Sequence, residues 1–198
     1  EEWRKRMGAQ YADRVKDIAA LRGTSMHTYL EGYIKNERHL DLTALGQEAG
    51  RMADVVIRSG LGDLGEVWGS EVTLHYPGLY AGQTDVVGVY DGQPAIIDFK
   101  QTNKPKKREW INDYFEQLGA YCMAHNYVYD TKIQSGVILM CSKDFLFQRF
   151  EVSGKEFVRH QHNFLKKVDQ FYQQKPRETQ NVPEDEDHQN TKNDPKVQ

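Results

Sequence analysis

Three charged residues sit close together across one tight turn: Asp85 on one side of Asp91-Gly92, and Asp98 and Lys100 on the other. Asp-Gly between two runs rich in β-branched and aromatic residues is a strong two-residue hairpin signal. With these two residues at the centre of the turn, Tyr90 pairs with Gln93, Val87 with Ile96 and Asp85 with Asp98. Directly opposed residues hold their Cβ atoms ~4.5–5.5 Å apart on one face. Lys100, two residues beyond Asp98, emerges on that face too. The expected product is a cluster of two carboxylates and an ammonium group. Like charges opposed in this way destabilise a ladder unless something neutralises them, and hard oxygen ligands suit Mg²⁺ or Mn²⁺. The register carries this reading, because a loop one residue longer turns one carboxylate to the other face.

The competing reading makes Asp85 and Asp98 solvated charges on an exposed sheet face. The neighbours speak against it. Asp98 follows Ala95-Ile96-Ile97, an apolar run typical of a covered strand, where aspartate is almost never buried unpaired. A cation site is the better explanation.

These residues need a sheet and helices to position them. Trp3, Met7, Tyr11, Val15 and Ile18 recur at spacings of three and four, which predicts an amphipathic helix from Glu1 to about Leu21. Gly23-Thr24-Ser25 is expected to interrupt it and cap a second helix over Ser25–Lys35. A third is predicted over Leu42–Arg58, with Leu45, Met52, Val55 and Val56 as its buried face, ended by Gly60, Gly62 and Gly65. Strands follow at Val67–Tyr76, Tyr80–Tyr90 and Pro94–Gln101, then a helix over Arg108–Tyr127. Two more strands, Gly136–Cys141 and Phe145–Val152, and a last helix over Lys155–Tyr172 complete the pattern. The prediction is an α/β fold: a mixed central sheet of about five strands flanked by helices, with a helical N-terminal region over 1–64 and the sheet core over 65–175.

The 198 residues, 38% hydrophobic and 28% charged, suffice for one such domain over 1–175 without staples. Cys122 and Cys141 are too few for a disulfide framework or a four-cysteine iron–sulfur cluster, and their spacing matches no zinc motif. The longest apolar run, around Val137–Cys141, falls far short of the ~20 residues of a membrane span. The net charge of −3 comes from the end of the chain. Residues 176–198 carry three basic and six acidic side chains of the 26 and 29 overall, leaving a neutral body, and this tail has almost nothing to bury, so disorder is expected. A neutral body still binds a polyanion where its positive charge is local or a bound cation supplies it. The one dense basic segment is Thr102-Asn103-Lys104-Pro105-Lys106-Lys107-Arg108, directly after Lys100, with Trp110 as an aromatic surface beside it. Such runs are usually solvated, but this position favours phosphate tracking and base stacking. Arg4, Arg6 and Arg22 are further candidates for backbone contacts.

Gly82-x-x-Asp85, Asp98-x-Lys100 and Gln117-x-x-x-Tyr121, preceded by Gly23-Thr24-x-x-His27-x-x-x-Glu31, resemble the PD-(D/E)XK nucleases. Within them the chain is most similar to the RecB-like branch and its phage-encoded exonucleases related to the mitochondrial genome maintenance exonuclease. The likeness runs from about Trp3 to Tyr127, four motifs in order. It implies a restriction-endonuclease-like core and a Mg²⁺- or Mn²⁺-dependent exonuclease acting on single-stranded DNA ends. It also implies that Asp85, Asp98 and the Phe99 carbonyl ligate metal, that His27 adds a nitrogen ligand, and that Lys100 orients or activates the attacking water. Glu31 would be a ligand or a hydrogen-bond partner of one. Glu71, on the preceding strand, would serve a second metal or lie near DNA, or be a plain surface charge. Gln117 and Tyr121 would contact the substrate backbone or the lysine. The alternatives are a nucleic-acid binding module without catalysis and a structure-specific endonuclease of the same superfamily. The implied partner is DNA rather than a membrane, and the implied location is the cytoplasm, that of the host for a phage protein. A chain beginning at Glu1 leaves an organellar address open.

Overall fold

The computed structural model describes residues 8–174. Helices α1 (Ala9–Ile34) and α2 (Ala44–Gly60) come first, then a 3₁₀ turn, Leu61–Asp63. Strands β1 (Leu64–Tyr76), β2 (Tyr80–Tyr90) and β3 (Gln93–Thr102) follow. A second 3₁₀ turn, Arg108–Trp110, leads into α3 (Asn112–Tyr129), then β4 (Ser135–Ser142), β5 (Phe147–Ser153) and α4 (Gly154–Gln174). The five strands form one sheet in chain order. Only the β3–β4 pair is parallel, joined through α3, so the sheet is mixed as expected.

Both faces of the sheet are covered. Met26, Leu30, Met52 and Val56 of α1 and α2 pack on Val86, Ile97, Phe99 and Leu139. Phe115 and Leu118 of α3 and Phe157 of α4 pack on the opposite face with Val87, Ile96, Ile138 and Met140. This double cover explains why β3 and β4 read as apolar runs rather than alternations. None of the described helices is long and apolar enough to cross a membrane.

Two expectations about the N-terminal region are corrected. The first two predicted helices are one: α1 runs through Gly23-Thr24-Ser25 without a break. The Thr24 hydroxyl donates to the Ala20 carbonyl and that of Thr28 to the Thr24 carbonyl, so residues that often cap a helix are satisfied inside it. The buried stripe of α1 is also displaced. Ala12, Arg22, Met26 and Leu30 face inward, whereas Tyr11 and Ile18 are 54% and 41% exposed. Trp3, Met7, Arg4, Arg6 and the expected disorder of 176–198 lie outside the described residues. In α2, Thr43 caps the helix by accepting from the Gly46 amide; of the predicted buried face Met52 and Val56 are buried, whereas Leu45 and Val55 are half-buried.

The β2–β3 turn follows its sequence signal. Asp91 and Gly92 both have positive φ, 47° and 72°, as a two-residue hairpin turn of this kind requires. Tyr90 faces Gln93 and Val87 faces Ile96, the predicted register. The ladder, however, stops at Val86 and Ile97. The expected Asp85–Asp98 pair does not form, because the Asp85 carboxylate accepts the Phe99 amide at 2.6 Å in place of a strand carbonyl. From there β3 continues beside β4 alone, out to Thr102 and Ser142.

Candidate active site

Candidate site residues collect where β2 and β3 separate. Asp85 holds two groups at once: Oδ2 receives the Phe99 amide, and Oδ1 lies 3.1 Å from His27 Nδ1 of α1. The Phe99 ring meets the imidazole edge-on, with centroids 6.1 Å apart. Burial works against a charged imidazole here, but the hydrogen bond and charge of Asp85, with Asp98 behind it, hold the His27 pKa above its ordinary value.

Glu71 completes a trio. It lies on β1 between the paired residues Ser70–Val86 and Val72–Thr84, opposite Asp85, yet makes no regular pair there. Its backbone is left-handed, φ 52°, which is strained for a residue with a long side chain. Gln83 Nε2 clamps it by donating to both its carbonyl and its Oε2, at 3.1 and 2.8 Å. Ligand atoms of His27, Glu71 and Asp85 all lie within 4.8 Å of one another. Burial and the charges of Asp85 and Glu31 raise the Glu71 pKa. Together with Gly23, Thr24, Thr28 and Glu31, His27 and Glu71 line a cavity of about 320 Å³ between α1 and β1. Glu31 itself pairs with Lys35 one turn on.

Asp98 is the buried member, 4% exposed, on the strand face covered by α3. Its Oδ2 is inaccessible to solvent and forms a close ion pair with Lys100 Nζ. Burial pushes the Asp98 pKa up to about 6 against the pull of Lys100, with the charge of Asp85 adding to the rise. Burial opposes the charge on Lys100 as well, but Asp98 more than offsets this and raises its pKa.

Gln117 and Tyr121 project from one face of α3 and bond each other, Gln117 Nε2 donating to Tyr121 Oη at 2.9 Å. Gly82 makes room for this pair, since a Cβ there would lie 2.7 Å from the Tyr121 ring. The basic segment divides. Lys104 and Lys107 are exposed and Lys106 is half-buried, and Lys107 stands 5.3 Å from the ring centre of Trp110, itself 60% exposed. Thr102 is buried and donates to the Lys104 carbonyl. Arg108 binds the Glu156 carboxylate, with both oxygens at 3.0 Å, and covers the Phe115 ring. Arg22, a candidate for phosphate contact, is 2% exposed and donates to Gln101 and Asn103, with Glu48 at 3.5 Å. Its guanidinium ties α1 to the end of β3.

Sequence reasoning missed Gln83 and Tyr114. Gln83 carried no signal beyond standing two residues before Asp85. Tyr114 stands three residues before Gln117, the spacing that shares a helix face.

The donor set suits a hard divalent cation. The one imidazole and two half-buried carboxylates of His27, Glu71 and Asp85 are groups such an ion would satisfy, whereas Asp98 lies outside that trio and is paired with Lys100.

Neither a protein-family model nor a curated protein sequence matches the chain. A solved structure shares its fold. The crystal structure of "Putative exonuclease" from Eubacterium rectale superposes with a TM-score of 0.58 at 14% identity, over 79% of this chain and 65% of that one. The chain thus spans a little under two-thirds of that protein's length, and the likeness is one of fold. A second solved structure, also 14% identical, aligns over 75% of this chain and 74% of its own with a TM-score of 0.34, and carries no argument.

Proposed function

We propose that this chain is a divalent-cation-dependent deoxyribonuclease of the PD-(D/E)XK type, an exonuclease that hydrolyses phosphodiester bonds at single-stranded DNA ends. The observation that carries the reading is the trio of His27, Glu71 and Asp85 at the gap between β2 and β3, with the Asp98–Lys100 ion pair near enough for its charges to act on His27. The shared fold with a protein bearing an exonuclease name supports it. Asp85, Asp98 and His27 would hold a Mg²⁺ or Mn²⁺ ion with the Phe99 carbonyl, and Glu71 would complete the set or serve a second ion. A cation bound there supplies Lewis-acid polarisation of the phosphate and a water of lowered pKa.

The protein's own groups do the rest. Lys100 carries a fixed ammonium that donates hydrogen bonds to phosphate oxygens as their negative charge grows. Asp85 orients the imidazole of His27 while its other oxygen keeps β3 in place through Phe99. Gln117 and Tyr121 are placed to receive the DNA backbone, and Lys104, Lys106, Lys107 and Trp110 to track the strand leading away. Thr102, Arg108 and Arg22 shape this path rather than line it, given their internal bonds.

End-labelled linear and circular single-stranded DNA, each incubated with Mg²⁺ and then with EDTA, test the proposal. Short products from the linear strand alone, abolished by EDTA, are expected. Degradation of the circle would identify an endonuclease, and tight binding without products in any metal would identify a binding module.

A further inference from the structure

Lys100 has two partners in the fold. Its Nζ touches Asp98, and it also stands 5.2 Å from the centre of the Tyr114 ring. That distance is within the range over which an aromatic face attracts an ammonium group. The Lys100 side chain is only 20% exposed, so the attraction acts where water competes little. Tyr114 sits one turn of α3 before Gln117 and two before Tyr121, and one helix face brings all three toward the site. Its ring packs beside the cluster of Val87, Ile96 and Phe115, which limits its freedom to swing away. It also borders a cavity of about 370 Å³ lined by Gln101, Asn103, Lys104 and Lys106. Tyr114 thus meets both the ammonium of Lys100 and the cavity beside the basic segment.

The two partners differ in what else they must do. A carboxylate that ligates a divalent ion shares its charge with that ion, and its hold on a neighbouring ammonium weakens. The ring has no competing demand. Resting on the function proposed above, we infer that Tyr114 is a positioning residue, whose cation–π contact keeps the Lys100 ammonium in place when Asp98 turns to a divalent cation.

The test reads Lys100 directly. In the full chain labelled with ¹³C-lysine, the Lys100 ε-CH₂ resonance is assigned by its loss in Lys100→Arg, and an overlying ring moves it upfield. The upfield position is expected with and without saturating Mg²⁺, kept in Tyr114→Phe and lost in Tyr114→Leu and Tyr114→Met. In cleavage, kcat should stay within about twofold for Tyr114→Phe and fall about tenfold for Leu and Met at unchanged KM. Should both apolar variants unfold, fluorinated phenylalanines placed at position 114 keep the ring's shape while draining its negative face, and kcat should decline with each added fluorine. A Mg²⁺-loaded resonance indifferent to loss of the ring, or a flat fluorine series, overturns the inference. Wild-type protein that binds Mg²⁺ with the upfield resonance intact, yet cleaves no DNA, overturns the proposed nuclease instead and leaves the Tyr114–Lys100 contact supported.

Discussion

The two ends of the β2–β3 ribbon obey opposite rules. At the turn, Asp91-Gly92 and the pairs from Tyr90–Gln93 to Val86–Ile97 satisfy backbone groups with backbone groups, and the apolar side chains bury on both faces. One pair further on, a carboxylate replaces a carbonyl as the acceptor for Phe99, β1 kinks at Glu71, and charged groups fill the gap. The regular end is built for stability. The open end gives up regular pairing and gathers His27, Glu71 and Asp85, with the Asp98–Lys100 ion pair nearby, and its strain sits where the proposed chemistry would be.

The largest effect expected from breaking this contrast is on activity. Asp98→Asn and Lys100→Ala should each lower Mg²⁺-dependent cleavage by on the order of a thousandfold or more with circular dichroism unchanged, whereas Val87→Ala at the regular end should leave the cleavage rate of the folded protein near wild type. Cleavage by either site variant at the wild-type rate would dissolve the distinction.

Next comes pH. Burial raises the Asp98 pKa from 3.8 to about 6, so the folded metal-free protein binds more protons than the unfolded chain between these values. By linkage, stability falls as pH rises through that window. Urea unfolding should show wild type losing on the order of 2–3 kcal/mol relative to Asp98→Asn between pH 4 and pH 7. Saturating Mg²⁺, which favours the ionised carboxylate, should shrink or reverse that loss. A difference that does not vary with pH would show that the metal-free site imposes no such cost.

Asp85 separates its structural role from its proposed chemical one. Asp85→Ala leaves the Phe99 amide without its acceptor and should cost about 1–3 kcal/mol by denaturant unfolding. Asp85→Asn keeps an acceptor and should cost less than about 1 kcal/mol while still abolishing cleavage. Equal stability of the two variants would mean that the bond to Phe99 does not hold the strands.

The smallest effect belongs to the turn. Gly92→Ala forces a side chain into a φ of 72° and should cost about 1 kcal/mol in thermal or chemical unfolding, with cleavage by the folded fraction unchanged. A loss of specific activity there would show that the two ends of the ribbon are coupled.

How much of this was legible in the sequence varies residue by residue. The hairpin and its register from Tyr90–Gln93 to Val86–Ile97 were, because a two-residue Asp-Gly turn has few conformations and the nearby ladder follows from it. The order of elements was, because burial on both faces of β3 and β4 leaves apolar runs that periodicity reports. The continuity of α1 was not. Gly23-Thr24-Ser25 carries stop signals, and only the packing of Met26 and Leu30 against the sheet selects one long helix over two short ones. Nor was the role of Arg22 legible, since a basic side chain near a site looks the same whether it faces DNA or, as here, Gln101 and Asn103.

Residue types and local turn chemistry by themselves determined that acidic and basic groups would meet near one hairpin. They act over a few neighbouring residues, where few conformations compete. Tertiary structure alone decided which groups meet: that Asp85 bonds Phe99 rather than facing Asp98, that Glu71 joins His27, and that Lys100 lies between Asp98 and Tyr114. Each of these outcomes is a competition between partners far apart in the chain, settled by burial and charge once the layers close.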